Sequence, residues 1–353
     1  MKDRINLLEF CTTFYMVIAS PFLGIGLYNL LKVANIDSTI SIIIAYLLSF
    51  IILFLYIKVN NYKEDMNLKE KIDNLFSKGI AKIIAIVLSI CIFIMMSTLS
   101  YNLNSFVISQ FLSETPIIII GIIIGILVIY VNKKGIETIM RTANLLFFIT
   151  CILMLIGIFG EYNKVEYINL HPILIEGIYR PIKGSLYIIL INTVYAFLLL
   201  IVPKKNIVNN KHINLGLFIT ITFVFIIFMI VVCYTIGSLG IDLATLYHYP
   251  AYIVMKEISI FEFIDKIENF VIILWIFEIF ITLSLSTYFI NKMTNIEPYI
   301  IVITSLILYI SFFKNSTFFN YFASKYIPIL SIIVIIIMLV ICIKILYKEI
   351  KRV

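Results

Sequence analysis

Apolar residues fill ten long runs along the 353-residue chain, and short polar segments separate them. A helix needs roughly 20 apolar residues to cross the hydrocarbon core of a bilayer, so each run predicts a transmembrane helix. The pattern therefore predicts an all-α polytopic membrane protein that forms a single transmembrane domain over residues 1–353. The runs cover about 7–31, 39–59, 80–104, 116–132, 143–160, 184–203, 215–239, 267–290, 298–313 and 326–347.

The composition narrows the class of protein. Hydrophobic residues make up 62% of the chain and charged residues 13%, whereas soluble domains hold roughly 45–50% apolar and about 25% charged residues. These proportions exclude a soluble enzyme, a disordered protein and a secreted disulfide scaffold. The net charge of +7 is spread over loops rather than over one basic face, so we expect no nucleic acid partner. The sequence shows no nucleophile–base pair, metal-ligand cluster or phosphate loop, so we expect neither catalysis nor a metal or cofactor.

The basic residues predict the orientation of the chain in the membrane. Ten spans place both termini on one side. If that side is the cytoplasm, 19 of the 27 Lys and Arg residues lie in cytoplasmic segments and 8 lie outside. This bias follows the positive-inside rule, so we expect both termini in the cytoplasm.

The first run carries a break signal at its centre, the sequence SPFLGIG over residues 20–26. Proline removes a backbone donor, and glycine lowers the cost of leaving helical geometry. Two half-helices that meet here would present N–H groups to an anion and carbonyls to a cation, which suits a zwitterionic amino acid. We therefore predict a ligand site at Ser20, Gly24, Ile25 and Gly26. The alternative is a simple proline kink whose glycines allow close helix packing.

The third run carries a stripe of polar side chains. Ser97, Tyr101, Asn104 and Ser105 fall on one helical face, and Asn102 lies on an adjacent face. Such a stripe either lines a cavity or satisfies polar groups of neighbouring helices inside the bundle. From this stripe, Ser97 and Tyr101 join the predicted ligand site.

Polar residues also interrupt the sixth and eighth runs. Asn192, Thr193 and Tyr195 lie at the centre of the sixth run, and Glu278 lies about twelve residues into the eighth. A carboxylate at that depth costs about 2.5–3.5 kcal/mol on insertion scales. Glu278 therefore suits a proton-coupling or amine-binding role, or it is a neutral glutamate that packs through a hydrogen bond. We include all four residues in the predicted ligand site.

A short amphipathic helix is predicted in the loop after the second run. Asn67, with Glu70 three residues later, indicates a capping box. The apolar side chains that follow share one face, and we expect that face to lie on the lipid headgroups. Those side chains are Leu68, Ile72, Leu75 and Phe76.

Several segments of the chain resemble the spore-germination permease family, the B subunits of germinant receptors, within the amino acid–polyamine–organocation transporter group. The segment 258–268 is similar to the family pattern, although Phe261-Glu262 stands where the family usually has Gly-Asp. The segments are Tyr249-Pro250, 258–268 (ISIFEFIDKIE), Trp275, 135–143 (GIETIMRTA), 171–174 (HPIL), 177–184 (GIYRPIKG) and 24–26 (GIG).

This resemblance implies a fold and a function. The fold is a LeuT-like arrangement of two inverted five-helix repeats, at about 1–160 and 175–347, with discontinuous first and sixth spans beside a central site. The implied protein lies in the spore inner membrane beside an A-type subunit and a lipoprotein C-type subunit. It senses a small germinant such as an amino acid. The alternatives are a transporter that exchanges amino acids or takes them up with protons through Glu278, and a purely structural subunit.

Overall fold

The computed structural model describes residues 4–161, 165–256, 268–313 and 315–351. Most of the segment 258–268, which carries part of the family resemblance, lies outside these residues. The described residues form helices joined by short loops, and their sole β-type pairing is an isolated parallel bridge between Ile5 and Ile207. The predicted all-α class is confirmed for the described part of the chain.

Thirteen α-helices occur in the described residues. A π-helical segment, Phe22–Gly26, follows α1, and a 3₁₀ segment, Thr193–Ile201, follows α8. The helices are α1 Leu7–Ala19, α2 Leu27–Ala34, α3 Ser38–Asn61, α4 Leu68–Leu75, α5 Lys78–Gln110, α6 Ile117–Lys134, α7 Ile136–Glu161, α8 Tyr179–Asn192, α9 Ile213–Leu246, α10 Pro250–Lys256, α11 Glu268–Thr294, α12 Pro298–Phe312 and α13 Ser316–Ile350.

Helices overlap all ten of the predicted runs. Eight helical segments of the described chain are long and apolar enough to span a bilayer, and the first of these, Leu7–Asn61, holds two of the runs. The ninth run corresponds to Pro298–Phe312, which has only 15 residues. A multi-pass membrane protein is therefore supported, while the count of ten spans and the two repeats stay predictions.

The sixth and eighth runs lie at the centre of the bundle. In the most apolar window, 89% of residues are buried within Tyr179–Ile201 and 72% within Ile273–Thr294, against 17% within Ile136–Gly160. Helix α11 packs against α1, α5, α6 and α7. The outer helices expose Ile, Leu and Phe side chains, as lipid-facing helices do.

The predicted amphipathic helix is α4, and its environment differs from the prediction. The capping box is present: the amide N–H of Asn67 donates to Glu70 Oε2 at 2.8 Å, and the amide N–H of Glu70 donates to Asn67 Oδ1 at 3.0 Å. The apolar face, however, packs on the protein, with Leu68 and Ile72 fully buried beside α5 and α13. The expectation of a helix that lies on lipid headgroups was therefore wrong, because the bundle itself offers an apolar surface.

Candidate functional site

The first span changes helix type at residues 20–26. Helix α1 ends at Ala19, and the amide N–H of Gly26 donates to the carbonyl of Pro21, five residues earlier, at 2.9 Å. The backbone stays in the right-handed helical region, with φ −81° and ψ −12° at Pro21. A π turn absorbs the missing proline donor, so α-helical bonding is interrupted without an unwound gap. The expected pair of separate half-helices is thus a continuous but widened helix.

Side chains from two distant helices cap the carbonyls around this π segment. Asn192 Nδ2 donates to the carbonyl of Ile18 at 2.9 Å, and Trp275 Nε1 donates to the carbonyl of Ser20 at 2.8 Å. Thr282 Oγ1 and Ser20 Oγ are 2.8 Å apart. The peptide groups expected to hold a solute are therefore paired with the protein itself.

The glycines of the π segment allow these side chains to approach. A Cβ atom at Gly24 would lie 2.2 Å from Asn102 Oδ1 and 2.5 Å from Trp275 Cζ2, and one at Gly26 would lie 3.2 Å from Asn192 Oδ1. Close helix packing, the alternative considered for these glycines, is what this arrangement shows.

The sixth span also changes helix type, at the level of the π segment. Helix α8 ends at Asn192, and the nine residues Thr193–Ile201, all buried, form a 3₁₀ segment. A 3₁₀ run longer than three or four residues is uncommon and often marks a hinge. The sequence carries only a weak signal for this change, since no Gly or Pro lies between Ser185 and Val202. Asn192 is thus both the end of α8 and the donor to the first span.

Four further residues of the predicted site form hydrogen bonds with other residues of the chain. Ile25 is buried and its carbonyl accepts from Asn29 Nδ2 at 2.8 Å. The Ser97 hydroxyl donates to the Phe93 carbonyl at 2.8 Å and the Thr193 hydroxyl to the Ile189 carbonyl at 2.7 Å, both within or directly beside their own helices. The Tyr195 hydroxyl donates to the Met95 carbonyl at 3.3 Å.

Tyr101 belongs to an aromatic cluster. Its ring centroid lies 4.7 Å from that of Phe319 and 4.9 Å from that of Phe313. These contacts pack α5 against α12 and α13. From the polar stripe of α5 and its adjacent face, Ser105 and Asn102 line a polar cavity, whereas Ser97 and Tyr101 are absent from its wall.

A polar cavity of about 270 Å³ leads to Gly24. Gly24 and Asn102 lie on its wall, and Asn102 Oδ1 is buried with no hydrogen-bond partner among the described residues. A solute with an N–H or O–H group would satisfy this oxygen. The other polar or aromatic residues on its wall are Tyr28, Ser105, Ser109, Gln110, Tyr247, His248, Tyr249, Ser316, Phe319 and Asn320.

His248, Asn320 and Tyr28 lie together on the wall of the polar cavity. His248 Nδ1 lies 3.0 Å from Asn320 Nδ2, and its ring centroid lies 4.9 Å from that of Tyr28. Partial burial and the nearby Lys32 charge lower the pKa of His248, which favours the neutral imidazole. Lys32 donates to the Tyr28 hydroxyl. The predicted site did not include Tyr28, although it lies one helical turn after Gly24 in the first span. His248 and Asn320 were not included because they lie outside the spans that carry a break signal.

Glu278 lies in a different cavity. It is 4% exposed and lines an apolar space of about 70 Å³ with Tyr15, Phe22 and Thr235. The structure therefore groups Gly24 with the polar cavity and places Ser20, Gly26 and Asn192 in or beside the capped π segment. Glu278 lies apart from the polar cavity.

The bundle and its capped first span define a class of membrane protein. A mutant manganese transporter of Eremococcus coleocola has a similar fold, with a TM-score of 0.62 and 11% identity over 95% of this chain and 78% of that chain. The fold of this chain is thus similar to the LeuT-like fold of such transporters.

The sequence identifies the family of the chain. Residues 8–346 match the family described as spore germination protein, and the chain belongs to this family. Spore germination protein XB of Bacillus anthracis is 24% identical over 84% of this chain and 84% of that protein. Spore germination protein KB of Bacillus subtilis is 22% identical over 73% of this chain and 69% of that protein.

Proposed function

We propose that this chain is the integral-membrane B subunit of a spore germinant receptor, and that a small nutrient such as an amino acid binds in the polar cavity above Gly24. Family membership supports the role in germination. The observation that carries the site is the unpaired Asn102 Oδ1 beside Gly24, where three spans converge. Of the other predicted site residues, Ser20, Gly26 and Asn192 take part through the capped π segment.

The π segment provides a means of response. Asn192 and Trp275 hold the carbonyls of Ile18 and Ser20, and a solute at Gly24 would lie against the Trp275 ring, which is 2.5 Å from where a Gly24 Cβ would stand. A solute that binds one arrangement of these spans more tightly than another shifts the population between them. The change in the arrangement of the spans would be transmitted to an A-type and a lipoprotein C-type subunit.

The placement in the membrane follows from the same proposal. Ten spans in two inverted repeats, with both termini in the cytoplasm, put the mouth of the polar cavity on the outer face of the spore inner membrane. A nutrient that crosses the outer layers of a spore reaches this mouth first. The proposal does not require the solute to pass through the bundle.

The test is the nutrient response of spores that carry Asn102→Ala. We expect the half-maximal concentration of an effective amino acid to rise about threefold to tenfold, because one hydrogen bond of about 0.5–1.5 kcal/mol is lost. The matched control is Ser97→Ala on the same helix, whose hydroxyl bonds to Phe93, and its response should not change.

Two outcomes would contradict the proposal. An unchanged response in Asn102→Ala spores at normal protein level would exclude the cavity as the nutrient site. Uptake of amino acids by liposomes that contain the chain alone would instead favour a transporter.

A further inference from the structure

The environment of Glu278 separates this carboxyl group from the proposed nutrient site. Glu278 is the eleventh residue of α11, so it lies about 15 Å from the start of a helix that rises 1.5 Å per residue. The cavity that it lines has room for a few water molecules. Lys, Arg and His are missing from the described residues on the cavity wall.

The titratable groups that face Glu278 are weak acids. Tyr15 of α1 and Tyr234 of α9 line the same cavity, and Cys151 of α7 lies close enough to interact with a charge on Glu278. No charged group from α5, α6, α10 or α12 faces it within the described residues. A carboxylate here would be a buried charge without a cation, whereas the protonated acid fits the apolar wall.

Glu278 lies on the face of α11 that holds the first span. Trp275 and Thr282 lie three residues before it and four after it, and both contact Ser20. Residues at these spacings are neighbours on a helix surface. We call the contacts of Trp275 and Thr282 with Ser20 the Ser20 clamp.

A route for protons leads from the end of the bundle where the chain begins. A groove of about 720 Å³ between α1, α7 and α9 has Asn6, Thr12 and Asn209 on its wall. Tyr15 lines both this groove and the cavity of Glu278. A rotation of one aromatic side chain would therefore join them.

We propose that Glu278 is a proton-binding site, and that release of its proton to water in this groove loosens the Ser20 clamp. With the proton bound, the neutral acid fits the closed cavity and the clamp holds. Once the proton leaves, the carboxylate requires more water than the cavity holds, and α1 and α11 separate to admit it. The first span is then free to change its arrangement. This inference goes beyond the proposed function, since it requires no nutrient.

The single tryptophan of the chain gives the experiment its signal, because Trp275 is part of the clamp. The full-length protein is reconstituted in lipid nanodiscs, and Trp275 emission is followed across neutral and alkaline pH. We expect a red shift with rising pH in the wild type and none in Glu278→Gln, which keeps the size of the side chain without an ionisable proton. Glu297→Gln, an exposed change at the start of α12, should behave as the wild type.

Two other groups outside the membrane-spanning segments, Lys71 and His248, have lowered pKa values, about 8 for Lys71. Their titration could contribute to the wild-type curve. The readout is therefore the difference between Glu278→Gln and the wild type, and not the wild-type curve by itself. Infrared spectra of the wild type give a second measurement that needs no variant. A carboxylic-acid C=O band at neutral pH should vanish as the emission shifts.

Either of two results would overturn the proposal. The first is a wild-type spectrum without a carboxylic-acid band at neutral pH. The second is an emission shift of equal size in Glu278→Gln.

Discussion

Trp275 shows how much of the site depends on contacts that are distant in sequence. Pro21 and the glycines after it predict an irregular first span, and the structure has one. The donor that pairs the Ser20 carbonyl, however, comes from a residue 255 positions away. Sequence patterns within one span contain no such information, so they predicted free carbonyls where the protein supplies donors.

The Trp275 hydrogen bond should stabilise the closed arrangement. Trp275→Phe keeps most of the aromatic contact but removes the N–H donor, which leaves a buried carbonyl at an irregular turn. We expect the free energy of unfolding to fall by about 1–3 kcal/mol, measured by thermal unfolding in detergent with and without lipid.

Tyr195→Phe is the control for this prediction. It also removes a donor to a backbone carbonyl, but the bond is longer, at 3.3 Å, and its acceptor Met95 lies inside the regular helix α5. If both variants lose the same stability, the pairing of the Ser20 carbonyl has no special importance.

At the scale of elements, the ten apolar runs predicted where the helices lie but not where their geometry becomes irregular. The ten runs match helices because a bilayer imposes both length and apolarity on each span. An irregular sixth span was implied only by the family resemblance, because the 3₁₀ segment Thr193–Ile201 carries no Gly or Pro. The packing of α4 on the bundle was not predicted, because an amphipathic face has the same sequence pattern whether protein or lipid covers it.

Lys71 fixes α4 to the end of α3. It is fully buried, and its Nζ donates to the carbonyls of Val59 and Asn60 at 2.9 and 3.0 Å. These carbonyls belong to the last turn of α3, and no following helical turn supplies N–H donors for them. Lys71→Met should therefore lower the free energy of unfolding by about 1–3 kcal/mol. Lys69→Met, on the same helix but only half-buried, is the control.

The pH dependence of this effect has a defined sign. Burial lowers the pKa of Lys71 from 10.5 to about 8. The unfolded chain thus binds more protons than the folded one between these values, and stability rises with pH across that range. The loss caused by Lys71→Met should grow from pH 8 towards pH 10.5 in thermal unfolding curves. A loss that shrinks with rising pH would show that the buried lysine stays charged.

At the scale of the whole molecule, loops bring the first and sixth spans together at the end where the chain begins. The amide N–H of Ile5 donates to the Asn206 carbonyl at 3.1 Å, and the amide N–H of Val208 donates to the Ile5 carbonyl at 2.9 Å. Lys204 and Glu64 form an ion pair at 2.5 Å beside this bridge. The two spans with irregular centres are therefore also fixed to each other at one end.

Most of the proposed nutrient site could not be predicted from the sequence, because its residues come from distant segments of the chain. Gly24 was predicted from its own span. His248 and Asn320 join it only because the loop after α9 and the start of α13 meet the first span at one end of the bundle. No local pattern marks such a meeting, and the polar stripe of α5 was assigned to Ser97 and Tyr101 because spacing alone could not choose between adjacent faces.

A reversible cross-link tests whether the bridge between the two spans must open for a response. Neighbouring bridged backbones lie about 4.8 Å apart, which suits a disulfide, so Ile5→Cys with Ile207→Cys should form one under oxidising conditions. If the first and sixth spans separate when the nutrient binds, oxidised spores should lose their nutrient response and regain it after reduction. Each single variant controls for the five native cysteines, which are free. A full response in spores whose cross-link is verified by mass spectrometry would show that signalling leaves this end of the bundle closed.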